Sequence, residues 1–194
     1  MIKHKTQKKI SLLNERIQEC KKCDLCDLEC NKKDISKGYG KLYGWSNGIS
    51  KCRYLFIGMN PSHSRFPDHE HAFGGIEGSP GAGQKFNSLL KEAGVFDNIF
   101  VDNLVHCSSL SNSISLSQAL QCFEYLQEEI KILKPIKIVA MGRQVFEMLN
   151  ILLIEHNIKI PIMNIWHPSY VFSYQREKPE KYKEMIVKVC QEIK

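Results

Sequence analysis

The chain has 194 residues, 43% of them hydrophobic and 25% charged, with a formal net charge of +6; that suits one globular domain with a proper core and is too short for two full ones. No apolar run nears the roughly 20 residues of a membrane span, and Met1-Ile2-Lys3-His4-Lys5 lacks a signal-peptide core, so a cytoplasmic protein (intracellular, not secreted) without a membrane partner is expected. Residues 1–37 hold ten Lys/Arg against six Asp/Glu, a basic surplus that suits a polyanionic partner but is also common for solubility alone.

Ile10, Leu13 and Ile17 recur at helical spacing, so residues 6–19 are predicted to form a helix that delivers the chain to Cys20, Cys23, Cys26 and Cys30. Eight cysteines are many for a reducing compartment, where clustered thiols more often bind metal than pair as disulfides. Cys20-x-x-Cys23 and Cys23-x-x-Cys26 both have ligand spacing. With two distant thiols, Cys107 and Cys122, one such pair would make a four-thiolate site for zinc or an iron–sulfur cluster. Cys122 also fits as a small core residue of its helix.

Residues 31–51 are polar and glycine-rich and read as an irregular connection. Arg53 to Met59 is the first buried strand, and Asn60 to Gly83 a loop long enough to be functional. A helix over Gln84–Ala93 is stopped by Gly94, and Asn98–Val105 is the second strand. Ser115–Leu133 is a helix ending near Pro135, Ile136–Met141 the third strand and Arg143–Ile154 a helix. Ile160–Ile165 is the fourth strand, and Pro179–Ile193 a closing helix with proline in its first turn. The alternation predicts an α/β fold of three layers, α/β/α, around a central four-stranded parallel sheet.

In such a sheet the loops leaving the strand C-termini gather along one edge, where ligands bind. Asn60, Asn103 and His167 leave the first, second and fourth strands there and can meet around one pocket. There is no Gly-x-Ser-x-Gly elbow and no phosphate-binding loop. Two amides and an imidazole suit different chemistry, since an amide presents a donor and an acceptor to the edge of a base and an imidazole donates to a developing oxyanion. Singly, a loop asparagine more often caps a turn and a lone histidine is more often structural; three at matching strand ends favour a site.

Several stretches together resemble the uracil-DNA glycosylase superfamily, most closely its iron–sulfur family 4 branch, over nearly the whole chain. They are Cys20-Lys21-Lys22-Cys23-Asp24-Leu25, Gly58-Met59-Asn60-Pro61-Ser62 and Ala82 to Leu90. Asn103-Leu104-Val105-His106-Cys107 and His167-Pro168-Ser169 complete the set, and Cys122 lies fourteen intervening residues beyond Cys107. Their order and spacing are more specific than any one of them.

The resemblance implies one uracil-DNA glycosylase-like domain over residues 1–194, with a cysteine-rich cluster-binding segment at about 20–30. It implies a monomeric, monofunctional DNA glycosylase that hydrolyses the N-glycosidic bond of uracil, or of another deaminated base, in DNA and so initiates base excision repair. Cys20, Cys23, Cys107 and Cys122 would ligate a [4Fe–4S] cluster bracing the DNA-binding surface, with Cys23 and Cys26 an alternative first pair. Asn103 would read the uracil edge and His167 would stabilise charge on uracil O2. Gly58, Met59, Pro61, Phe73 and Ser169 would complete the base pocket, and Tyr170, Val171 and Phe172 would wedge into the DNA stack.

The chain departs from the branch at three points. Gly-Met-Asn-Pro resembles the mismatch-specific and single-strand-selective branches, in which the asparagine positions the attacking water. Ser108-Ser109-Leu110 stands where the iron–sulfur branch has Arg-Pro-Pro. The stacking phenylalanine falls at Gly78 in an ungapped match, so Phe73, or else Phe66, would supply the ring. The motifs around Asn60, Asn103 and His167 contain no lysine, in keeping with a glycosylase lacking lyase activity. A catalytically inactive iron–sulfur nucleic-acid-binding protein of the same fold is the alternative reading, and a zinc-stapled protein-binding domain a further one.

Overall fold

A computed structural model describes residues 2–34, 40–62, 70–174 and 177–191. Four short strands, β1 (Tyr54–Gly58), β2 (Ile99–Asn103), β3 (Lys137–Met141) and β4 (Ile162–Ile165), form one sheet in the order β2-β1-β3-β4. Every pairing is parallel, with Gly58 opposite Asn103 and Met141 opposite Ile165. β1, β2 and β3 are buried along their whole length, which is why they read as continuous apolar runs rather than as an alternation.

Among the described residues six α-helices accompany the strands: α1 (Ile2–Glu19), α2 (Ala82–Glu92), α3 (Leu116–Leu133), α4 (Arg143–Glu155), α5 (Pro168–Phe172) and α6 (Pro179–Cys190). One core joins Ile10, Leu13 and Ile17 of α1 and Phe123 and Leu126 of α3 to Leu55, Ile57, Phe100 and Ile138 of the sheet. The other joins Phe86 and Leu90 of α2, Val171 of α5 and Tyr182 and Ile186 of α6 to Phe56, Val101, Val139 and Ile165. Successive strand residues thus face opposite layers, as the pleat requires. The predicted three-layer α/β/α architecture with its four-stranded parallel sheet is observed.

α3 begins with a capping box: the Ser115 side chain accepts from the Gln118 amide while the Gln118 side chain accepts from the Ser115 amide. The buried Lys137 ammonium donates to Val189 O at 2.6 Å and to Gln191 O at 3.3 Å, satisfying carbonyls at the end of α6. No helix among the described residues is long and apolar enough to cross a membrane.

Strand order reverses between β1 and β3, and the C-terminal ends of the strands open there into a pocket. His167 follows β4, at the sheet's edge, and reaches this point beside Gly142, which follows β3 at φ +108 and whose added Cβ would lie 3.7 Å from the His167 Cβ. α5 was not foreseen in the sequence. His167 is its N-cap and Pro168 fills its first position, where the missing N–H costs nothing.

Candidate active site

A cavity of about 480 Å³ is lined by Met59, Asn60 and Pro61 after β1, Phe73 from the following loop, Asn103 at the end of β2, and His167 and Ser169 after β4. Gly58 lies beneath it. A Cβ on Gly58 would come within 2.6 Å of Asn103 Oδ1 and 2.9 Å of the Phe73 ring, so glycine is what lets amide and ring close over the strand end.

His167 is held in one tautomer. Its Nδ1 accepts from the Ser169 amide at 3.2 Å, so in the neutral ring Nε2 carries the hydrogen. Burial lowers its pKa from the ordinary 6.5 to about 4, and the ring is therefore neutral at physiological pH. It packs on Phe73 with 5.7 Å between centroids.

Asn60 is half-committed. Its Nδ2 donates to Pro61 O at 3.1 Å and to Ser109 Oγ at 3.3 Å, which leaves Oδ1 as an acceptor. The Asn103 side chain has no hydrogen-bond partner among the described residues, although the residue is 3% exposed. Its backbone is fixed: the amide donates to Asp102 Oδ1 at 2.7 Å, and the next two amides, of Leu104 and Val105, donate to Gly58 O and Met59 O.

Phe73 occupies the left-handed region at φ 55, a conformation that costs a phenylalanine of order 1 kcal/mol or more. It is followed by Gly74 and Gly75, also at positive φ. Its carbonyl accepts from Ser79 N at 2.8 Å, and the buried Asn87 amide bonds Gly75 O and Ile76 O. Phe73 lines the pocket; Gly78, where an ungapped match puts the stacking ring, has φ +77, and a Cβ there would strike Gln84 N at 2.7 Å. Phe66 lies outside the described residues.

The expected wedge is corrected in part. Pro168, Val171 and Phe172 share the inner face of α5, and Val171 and Phe172 are only 2% and 9% exposed; they are core residues and cannot reach a DNA stack. Tyr170 is exposed. Tyr174, which no motif in the sequence marks, both lines the pocket and is 69% exposed. His71 also lines the pocket, its pKa lowered by burial; nothing in its surroundings in the sequence singles it out.

A second, much smaller cavity is ringed by Cys20, Cys23, Cys26, Cys107 and Cys122. Cys26 Sγ lies 3.9 Å from both Cys23 Sγ and Cys107 Sγ. The Cys20 thiol is raised by a hydrogen bond with Cys26, Cys23 by burial to about 11, and Cys122 by burial; all three need a nearby positive charge to ionise. Lys22 and the buried Lys41 line the same cavity. No three or more His, Cys, Asp or Glu side chains among the described residues converge tightly enough for a single metal ion. As a donor set, five thiols ringing one cavity fit an iron–sulfur cluster, whose ligands are spread around it.

The two cavities share one loop. Cys107 faces the thiols, Ser108 Oγ donates to Ser62 O, and Ser109 Oγ receives Asn60. Asn31, from the cysteine-rich segment, bonds both Ser108 O and Ser108 N. The serines that replace Arg-Pro-Pro therefore tie Asn60 to the cysteine-rich region.

The chain is similar to known proteins. The chain is 29% identical over 124 residues to a type-4 uracil-DNA glycosylase of Pyrobaculum aerophilum, covering 63% of this chain and 56% of that one. It is 27% identical over 140 residues to the type-4 uracil-DNA glycosylase of Saccharolobus solfataricus, covering 69% and 56%. In each case the match spans little more than half the relative's length. The crystal structure of wild-type SMUG2 from Pedobacter heparinus superposes with a TM-score of 0.57 at 11% identity, over 71% of this chain and 74% of that one, a likeness of fold. The model of the uracil DNA glycosylase superfamily matches residues 46–191, taking in all four strands and Asn60, Asn103 and His167, and the chain belongs to that superfamily.

Proposed function

We propose that this protein is a monofunctional uracil-DNA glycosylase, acting as a monomer inside the cell to hydrolyse the bond between uracil and deoxyribose. The observation that carries this reading is the convergence, around one base-sized pocket, of a neutral imidazole donor, an unpartnered amide and an amide with one free acceptor.

A base inside a duplex is out of reach, so the nucleotide is extruded at a cost of a few kcal/mol and read in the pocket. Phe73 stacks on the uracil ring, and Asn103 pairs with its edge. The bond from N1 to C1′ breaks with its electron pair leaving on uracil, where negative charge gathers on O2. His167 Nε2–H donates to that oxygen; a preorganised donor of this kind is worth roughly 3–4 kcal/mol. Water held by Asn60 Oδ1 bonds to C1′ and releases its proton to solvent. No covalent intermediate forms, and no strand cleavage accompanies excision.

Cys20, Cys23, Cys107 and Cys122 would hold a [4Fe–4S] cluster, which here serves as a structural brace for the loop carrying Ser108 and Ser109. Cys26, placed against Cys23 and Cys107, is the competing first-pair ligand. Iron and sulfide analysis of the Cys20→Ser and Cys26→Ser proteins separates the two pairs: the ligand's loss empties the site, and the bystander's leaves it loaded. A colourless wild type containing zinc would overturn the cluster.

The test of function is chromatography of what the protein frees from a uracil-containing oligonucleotide, single-stranded or opposite guanine. Free uracil, with the strand intact until alkali is added, is expected. A wild type that binds the DNA and frees no base from uracil, hypoxanthine or xanthine substrates would leave a binding protein.

A further inference from the structure

On the face of β2 opposite Asn103 lies an arrangement that the reaction itself does not use. Asp102 is 0% and Glu129, on α3, 1% exposed. Asp102 Oδ1 is well engaged: it accepts from the Asn103 amide at 2.7 Å and lies 3.6 Å from His106 Nδ1, whose closer partner is Leu42 O at 2.9 Å. Asp102 Oδ2 and both Glu129 oxygens, all buried, have no donor among the described residues. Buried carboxylate oxygens are very seldom left so, because each would forfeit its hydration without return. Asp102 acts on the Glu129 carboxyl through its charge and a side-chain hydrogen bond, and a proton on one of the two acids supplies the donor that three buried, unpartnered oxygens call for.

We infer that Glu129 is a positioning residue for base recognition: it donates a carboxylic proton to Asp102 Oδ2, and Asp102 in turn fixes the end of β2 from which Asn103 reads the base. Burial first, and the charge of Asp102 second, hold the Glu129 carboxyl well above the ordinary carboxylate range, in keeping with this proton. Gly44 approaches the same oxygen: a Cβ there would come within 2.9 Å of Asp102 Oδ2. Leu42, whose carbonyl receives His106, itself lines the base pocket. The acid pair thus lies directly behind two walls of that pocket.

The inference rests on Asn103 being the base reader. Glu129→Gln keeps a donor toward Asp102, whereas Glu129→Leu removes it at similar volume. Inhibition of excision by free uracil reports the base pocket without DNA. Glu129→Gln is expected to stay within about threefold of wild type, and Glu129→Leu to bind uracil at least about tenfold more weakly, the loss of one buried hydrogen bond. Rescue by Gln separates positioning from mere packing. Equal uracil inhibition in wild type and Glu129→Leu, or equal damage in the Gln and Leu variants, would overturn the inference. Should the Leu variant not fold, infrared spectroscopy of the wild type decides: a protonated-carboxyl carbonyl band at neutral pH, lost in Glu129→Gln, is expected, and its absence is contrary. A wild type that neither excises uracil nor is inhibited by it would sink the glycosylase reading, while the infrared band would still test the acid pair.

Discussion

At the scale of single residues, His167 combines two properties that follow from where it sits: its Nδ1 is used by the Ser169 amide, and burial keeps its ring neutral. Replacing it with alanine removes the proposed donor to uracil O2 and is expected to lower kcat about 10²- to 10³-fold with little change in KM, as for other oxyanion donors. The pH profile follows from the same ring. A histidine with a folded pKa of about 4 and an ordinary value of 6.5 takes up its proton in the unfolded chain first. Its contribution to stability is therefore complete above about pH 6.5 and is lost as pH falls through that window toward about 4. Single-turnover excision should accordingly show no acid limb near 6.5 that disappears in His167→Gln, and the thermal midpoint should fall between pH 6.5 and 4 more steeply in wild type than in that variant. Gly58 gives a test of space alone. Gly58→Ala should fold, since β1 backbone geometry accepts alanine, yet displace Asn103 and Phe73 and reduce excision by at least about tenfold; unchanged activity would mean that the pocket floor lies elsewhere.

At the scale of elements, the sheet was legible because β1, β2 and β3 are buried along their whole length and are bounded by turn residues. Asn60, Asn103 and His167 could be grouped before any coordinates, since parallel strands must end on one edge. α5 was not legible: five residues are too few for a periodic pattern, and its start is written only in the capping geometry of His167 and Pro168. That omission led to the mistaken wedge, because Val171 and Phe172 read as a free apolar run until a helical turn directs them inward. The loop from 70 to 81 was equally opaque. Phe73 is placed by a left-handed backbone and by Asn87, on the next helix, and neither is readable from local pattern. The acid pair Asp102–Glu129 escaped for another reason, since its members lie 27 positions apart on different elements. The capping box of α3 gives this scale its own prediction: Ser115→Ala should cost about 1 kcal/mol by denaturant titration and leave excision unaltered, because Ser115 lines neither cavity.

At the scale of the whole molecule, the cysteine-rich segment and the base pocket are joined through Asn31, Ser108 and Ser109. Losing the proposed cluster is therefore expected to act on Asn60 before it unfolds the sheet. Cys107→Ser should lose iron, retain most of its helical circular dichroism, and reduce excision more than it reduces the affinity for free uracil. Equal losses of both would mean general unfolding. The chain's positive charge suits the polyanionic substrate proposed for it and predicts an affinity for DNA that falls with added salt. Hydrolysis in one pocket by three polar side chains is probed most simply by single-turnover excision of uracil with wild type and Asn60→Ala. Wild type should release the base, and the variant should do so at a rate at least about 10²-fold lower with DNA binding retained. Release undiminished in Asn60→Ala would be incompatible with this mechanism and would send the attacking water to another acceptor.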